Sequence, residues 1–391
     1  MKKDIPQIHV IRVLATLGIF LHHFWNGQYA AKQAFAGGLL DATMQSLALG
    51  VVIFNVMTAF LMTLPFAGPS PAPPPVPWSF LKKRLARICP QYYICLLAFT
   101  AISALVFRQT DLAGLLASLA SRLVFLQTFQ YQAFMSNIAA YWWLGLLVQF
   151  TLVFPWLVRL LQHLKVGPFR LCLFSWAVFW PMIEIVKACG RAYPDTAGTF
   201  SFLFTFNLPA RLPEFAMGMA MAAFWKASPE KAWPLDAKTT ALLACALAVS
   251  LACAAVPGLP APHLTGAAWC FAIFAALFAL PLPQKLAGSK TLLALSAVSY
   301  SVYLTHQPIL SYCGELFAAL ASWPRFWTVA ATALAASLVA ARCVDRLAGA
   351  AVTAMEREKP SGGQRGVAPL ETPPGGMMPP GPPRQGTRPR P

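Results

Sequence analysis

Long apolar runs separated by short polar breaks dominate the chain. A helix needs about 20 mostly apolar residues to cross a bilayer. Stretches of that kind fall at 11–30, 44–66, 89–107, 138–160, 168–187, 203–225, 239–257, 264–283, 291–312 and 324–346. The expected fold class is all-α, a polytopic membrane helix bundle of about ten transmembrane helices. Residues 112–134 are less apolar and are broken by Arg122 and several glutamines. They read as an interfacial or re-entrant stretch; if they span, the count becomes eleven and the C-terminal side flips. The first run contains Arg12, His22 and His23, which argues for a retained span over a cleaved signal. From Pro360 onward the chain is Pro/Gly-rich and poor in apolar bulk. A disordered cytoplasmic tail over 351–391, behind a membrane domain over 1–350, is therefore expected.

Composition agrees with this pattern. Of 391 residues, 58% are hydrophobic and 11% charged, against about 25% charged in soluble domains. Lys and Arg number 30 against 13 Asp and Glu, a net +17. On a chain this apolar, the excess points to basic loops on one face of a membrane and not to nucleic-acid binding. With Lys2 and Lys3 in the cytoplasm, ten spans leave Lys82, Lys83, Arg84 and Arg87 on the same side. Arg159, Lys165, Arg170, Lys226, Lys231, Lys238, Lys285, Lys290, Arg342, Arg346, Arg357 and Lys359 join them. The outside loops hold fewer basic residues, Arg122 among them. Both termini are therefore expected in the cytoplasm. The nine cysteines occur singly, without a CxxC pair or a metal-like cluster, and read as small buried hydrophobes. No metal is expected.

Ionisable groups inside spans cost several kcal/mol unless paired or wet, so they are the first functional candidates. Arg12 and His23 are eleven positions apart. That spacing puts them on one face of a helix about 16 Å apart, with His22 turned about 100° away. Arg84 and Arg87 share a face of a short helix leading into the third span, at a height suited to phosphate. Arg211 and Glu214 stand three apart, followed by Gly218 and small residues that permit close helix packing. Tyr300, Tyr303 and His306 share a face of the ninth span. Each group also has a structural reading. Arg12, Arg84 and Arg87 would anchor the chain at the interface, Arg211 and Glu214 would neutralise each other, and the tyrosines with His306 would pack. Glu184 and Glu315 read as interfacial. With ten spans, His23, Arg211 and His306 fall in the outer half of the bilayer, and Arg12, Arg84 and Arg87 at the cytoplasmic face.

Together these segments resemble the acyltransferase-3 family of integral membrane acyltransferases. The resemblance rests on Arg12 and His23 at the family's spacing. It continues through Arg84, Arg87, Ile88, Pro90 and Tyr92 in an RxxRIxPxY loop. Arg211, Leu212, Glu214, Phe215, Gly218 and Ala222 match an RLxEFxxGxxxA segment, and Ser299, Tyr300, Tyr303, Leu304 and His306 match SYxxYLxH. Two segments depart from the pattern. FNVMTAF has Thr58 and Ala59 where many members have Ser-Gly, and WWLGLLVQF lacks a glutamate. The resemblance implies a bundle of ten or so helices in the bacterial inner membrane. It implies transfer of an acyl group, most often acetyl, from acyl-CoA to a hydroxyl of a cell-envelope or exported glycan, or a lipid-linked sugar. His23 would be the key histidine, and Arg211, Tyr303 or His306 would stabilise the oxyanion. Arg12, Arg84 and Arg87 would hold the CoA phosphates. Partners would be acyl-CoA, the glycan acceptor and membrane lipid, with no nucleic acid. The competing reading is a transporter or flippase for a lipid-linked glycan along the same charged path.

Overall fold

A computed structural model describes residues 5–27, 35, 38–68, 71–105, 111–131, 138–163, 168–194, 197–227, 286 and 288–357. The spans expected at 239–257 and 264–283, and the tail beyond Arg357, lie outside the described residues. The helices are α1 (Pro6–Gly27), α2 (Leu39–Ser46), α3 (Leu49–Thr63), α4 (Pro77–Leu105), α5 (Leu112–Leu123), α6 (Trp142–His163), α7 (Pro168–Ala192), α8 (Ala197–Phe206), α9 (Leu208–Ala227), α10 (Lys290–Leu316) and α11 (Ser322–Arg357). No strand occurs among the described residues.

Five of the expected spans, within Pro6–Gly27, Leu39–Phe66, Pro77–Leu105, Ala139–His163 and Ser322–Thr353, are helices long and apolar enough to cross a membrane. Helices α7, α9 and α10 overlap three more expected stretches. Helix α10 is less apolar because it carries Ser296, Ser299, Ser301, Thr305 and His306, all buried against neighbouring helices. Among the described residues of this stretch, 112–131, no long helix occurs. The 12-residue α5 is about 18 Å long, short of the roughly 30 Å hydrocarbon core. Asp111 caps its N-terminus through Gly114 N–H at 2.8 Å. At its other end Phe125 takes a positive φ of 61° and stacks on Tyr92 at 5.0 Å. The expectation for Arg122 needs correction: it is not a loop residue but is 1% exposed, donating to Ser118 Oγ. The last helix runs to Arg357.

Contacts set the helix directions. Arg12 meets Ser296 and His23 meets His306, so α1 and α10 run parallel. Helix α3 runs antiparallel to α1, with Gly50 against Ala15 and Gly18 against Leu47. It runs parallel to α9, with Asn55 against Glu214 and Phe60 against Trp225. Helix α11 descends along α10, pairing Ser301 with Asp345. Small residues permit the closest approaches. A Cβ on Gly218 would lie 2.1 Å from the Val56 carbonyl oxygen and 2.8 Å from Ala59 Cβ. Ala59, the position at which the sequence departs from Ser-Gly, is thus the small partner of Gly218. The main core joins α1, α3, α4, α6, α9 and α10, with Phe60, Tyr92, Tyr141, Phe150, Phe154 and Phe215 fully buried.

Candidate functional site

The site is built around Pro308, inside the continuous helix α10. Pro308 has no N–H, so the carbonyl of Leu304 loses its helical partner. Tyr141 Oη takes that place, donating to Leu304 O at 2.8 Å. Two further bonds tie the same turn to the short 3₁₀ turn Ala139–Tyr141. Tyr303 Oη donates to Ala140 O, and Ala140 N donates to Gln307 Oε1 at 2.5 Å. Between these anchors lies His306, 1% exposed. Its Nδ1 lies 2.7 Å from Tyr303 O. A carbonyl only accepts, so Nδ1 carries the proton and Nε2 presents a lone pair. That Nε2 is buried with no partner among the described residues.

His23 from α1 packs on His306 with ring centroids 5.1 Å apart. His22 stands edge-on to His23 at 5.4 Å and faces α2, its Nδ1 3.2 Å from Met44 O. This agrees with the turn of about 100° expected between neighbouring helical positions. A cleft of about 480 Å³ opens beside His23, walled by residues near the C-terminal ends of α1 and α10 and the start of α11.

From the histidines a chain of contacts continues inward. The Tyr303 ring lies 5.6 Å from His306 and 5.2 Å from Trp143. Trp143 Nε1 donates to Asn55 Oδ1 at 2.7 Å, and Asn55 Nδ2 donates to Glu214 Oε2 at 2.6 Å. Glu214 Oε1 accepts from Arg211 Nη1 at 2.8 Å, in an ion pair with both side chains buried. Arg211 also donates to Thr205 O at 3.0 Å and lies over Trp142 at 5.3 Å.

The structure thus brings His23, His306 and Tyr303 into one cluster, and joins Arg211 to it only through Trp143, Asn55 and Glu214. The Arg211 charge is matched by Glu214, and the Tyr303 hydroxyl is engaged with Ala140. Arg12, Arg84 and Arg87 sit at the opposite end. Arg12 Nη1 reaches Ser296 Oγ at 3.4 Å, which His9 also contacts at 2.8 Å. One turn further along α10, Tyr300 Oη donates to Ile88 O at 3.1 Å, in the helical segment that bears Arg84 and Arg87. Arg84 is half-buried over Phe80, and Arg87 is exposed. Tyr92, within the same loop motif, is fully buried and donates to Arg122 O at 2.8 Å; it braces α4 against α5. Of the interfacial glutamates, Glu315 is exposed at the end of α10 and lines the cleft. Sequence reasoning passed over Asn55, Trp143, Gln307 and Tyr141. Asn55 had a signal, being an amide inside an apolar run; the others declare themselves only through tertiary contacts. No group of three or more metal-type side chains occurs among the described residues.

These features define a multi-pass membrane protein with a histidine cluster at one end and arginines at the other. The chain belongs to the acyltransferase-3 family: the family's acyltransferase domain matches residues 5–342, nearly the whole chain. No curated protein and no solved structure matches it.

Proposed function

We propose that the protein transfers an acyl group, most simply acetyl, from acyl-CoA to a hydroxyl of a cell-envelope or exported glycan in the bacterial inner membrane. The observation that carries this reading is the pairing of His23 with His306 beside an open cleft. His23 is about 16 Å along α1 from Arg12, a separation that a pantetheine arm can bridge. Arg12, Arg84 and Arg87 would hold the phosphates by charge-assisted hydrogen bonds. The acceptor hydroxyl oxygen attacks the thioester carbonyl carbon while its proton passes to neutral His23. Collapse of the tetrahedral intermediate breaks the C–S bond. The proton returns from His23 to the departing thiolate, giving the ester and free CoA. His306 orients His23 by ring packing. Arg211 acts at a distance, holding the Asn55–Trp143 wall through Glu214 and not touching the oxyanion. A lipid-linked glycan transporter would use the same path without consuming acyl-CoA.

The test uses membranes containing the full chain, supplied with acetyl-CoA and envelope glycan, with thiol release and glycan acetylation both followed. His23→Ala should lower transfer about 100-fold or more, the loss typical of a missing general base. Wild-type transfer by that variant would remove His23 from the chemistry. No thiol release from the wild-type protein would favour transport.

A further inference from the structure

The wall of the cleft beside His23 carries information that the histidines do not. Gln307, Ser311 and Glu315 follow one another at four-residue steps on α10, so they form one stripe, and all three line the cleft. Arg325, from the first turn of α11, lines it as well. The open cleft's volume of about 480 Å³ is within the range of small-molecule sites, about 300–1,000 Å³.

Hydrogen-bonding capacity remains on these side chains. Gln307 uses Oε1 on the Ala140 N–H, which leaves its NH₂ as a donor. Arg325 spends Nη2 on Gly314 O at 2.7 Å, while its Nε is buried with no partner among the described residues. Ser311 supplies a hydroxyl and Glu315 an exposed carboxylate. Donors and acceptors are therefore mixed, and among the described lining residues one cation, Arg325, stands beside one anion, Glu315. Phe24 and Leu310 add an apolar surface. An anion would meet Glu315 and a cation would meet Arg325. An uncharged polyol with a C–H face satisfies both.

We infer that this cleft is the acceptor subsite and takes a neutral sugar ring, whose hydroxyls bond Gln307, Ser311, Glu315 and Arg325 while one hydroxyl is held toward His23. The inference rests on the acyl-transfer reading and adds no chemical step to it. Gln307, Ser311, Glu315 and Arg325 bind and orient the sugar.

The experiment uses the full chain in lipid nanodiscs and records saturation-transfer NMR with methyl α-glucopyranoside, its uronate and its 2-amino analogue. The neutral glycoside should give the strongest signal. In Gly314→Trp the new side chain starts in open space, since a Cβ there meets nothing within 4 Å, and it adds bulk at a lining position of the cleft; thermal unfolding of the variant is recorded alongside. Its neutral-glycoside affinity should fall about tenfold, a loss of about 1.4 kcal/mol. Glu315→Gln leaves Arg325 unmatched and should shift preference toward the uronate by a similar factor. Equal binding to wild type and Gly314→Trp, or a wild-type preference for a charged glycoside, overturns the subsite. Thiol release is measured on the same samples. Its absence with every acceptor, alongside the expected glycoside pattern, fails the acyl-transfer reading and leaves a sugar site. Normal thiol release with glycoside binding indifferent to Gly314→Trp fails the subsite alone.

Discussion

The residue that decides the geometry of the histidine cluster is Pro308. By removing one helical hydrogen bond it frees the Leu304 carbonyl, and Tyr141 covers it from outside the helix. The hydroxyl of Tyr141 is therefore tied to the position of His306 two residues further on. Tyr141→Phe keeps the ring and deletes only that bond, leaving a buried carbonyl unsatisfied at a cost of about 1–3 kcal/mol. Lower unfolding stability is expected, with reduced kcat and an unchanged donor KM. A variant as stable and active as wild type would show that another group serves Leu304. Much at this scale was legible from sequence. Arg12 and His23 were placed on one face by helical periodicity, and both do face α10. The Arg211–Glu214 pair followed from i, i+3 spacing and forms as a buried ion pair. What the spacing could not supply is the partner across the helix boundary. Glu214 is held by Asn55, 159 positions away, and no local pattern marks that contact.

At the scale of elements, the α3–α9 pair makes the closest helix–helix approach at a glycine among the described residues. Gly218 lies so close to Val56 and Ala59 that any Cβ forces movement of backbone. Glu214, one turn before it, makes the Asn55 bond across the same joint. Gly218→Ala should separate the helices, lower stability by about 1–3 kcal/mol and weaken activity together with the Asn55–Glu214 contact. Gly314→Ala adds the same methyl where nothing lies within 4 Å and should be neutral or slightly stabilising, since Gly costs a helix about 1 kcal/mol relative to Ala. Equal effects of the two substitutions, measured by thermal unfolding in one detergent, would contradict the packing. Element positions were readable because length and apolarity decide what can cross a bilayer. Arg122 was misplaced because a basic residue at the end of a short helix reads as a loop anchor. Only the fold shows α4 and Tyr92 closing over it. Helix α10 was found from its apolar residues, yet its working surface is the polar one, which gains meaning only beside α1, α6 and α11.

Under the proposed acyl transfer, donor and acceptor binding are separated by the length of a helix. Because α1 and α10 run parallel, their N-terminal ends gather Arg12 and Ser296 near the turn of α4 that bears Arg84 and Arg87. Their C-terminal ends carry the histidine cleft. Changes at the arginine end should therefore alter donor recognition and leave acceptor recognition untouched. The 3′-phosphate of CoA offers a direct probe, since removing it deletes charge without changing the thioester. For the wild-type protein, acetyl-CoA should be favoured over its 3′-dephospho form by about 10- to 100-fold in kcat/KM, the range of one charge-assisted hydrogen bond of about 1.5–3 kcal/mol. In Arg84→Ala/Arg87→Ala that preference should collapse toward unity while the acceptor KM stays constant. Arg12→Ala should raise the donor KM in the same direction. If the double variant keeps the full preference for the 3′-phosphate, Arg84 and Arg87 serve as membrane anchors, their positive charge orienting the chain and nothing more. If acceptor KM changes as well, the two ends are coupled, and the separation of sites along α1 and α10 is wrong.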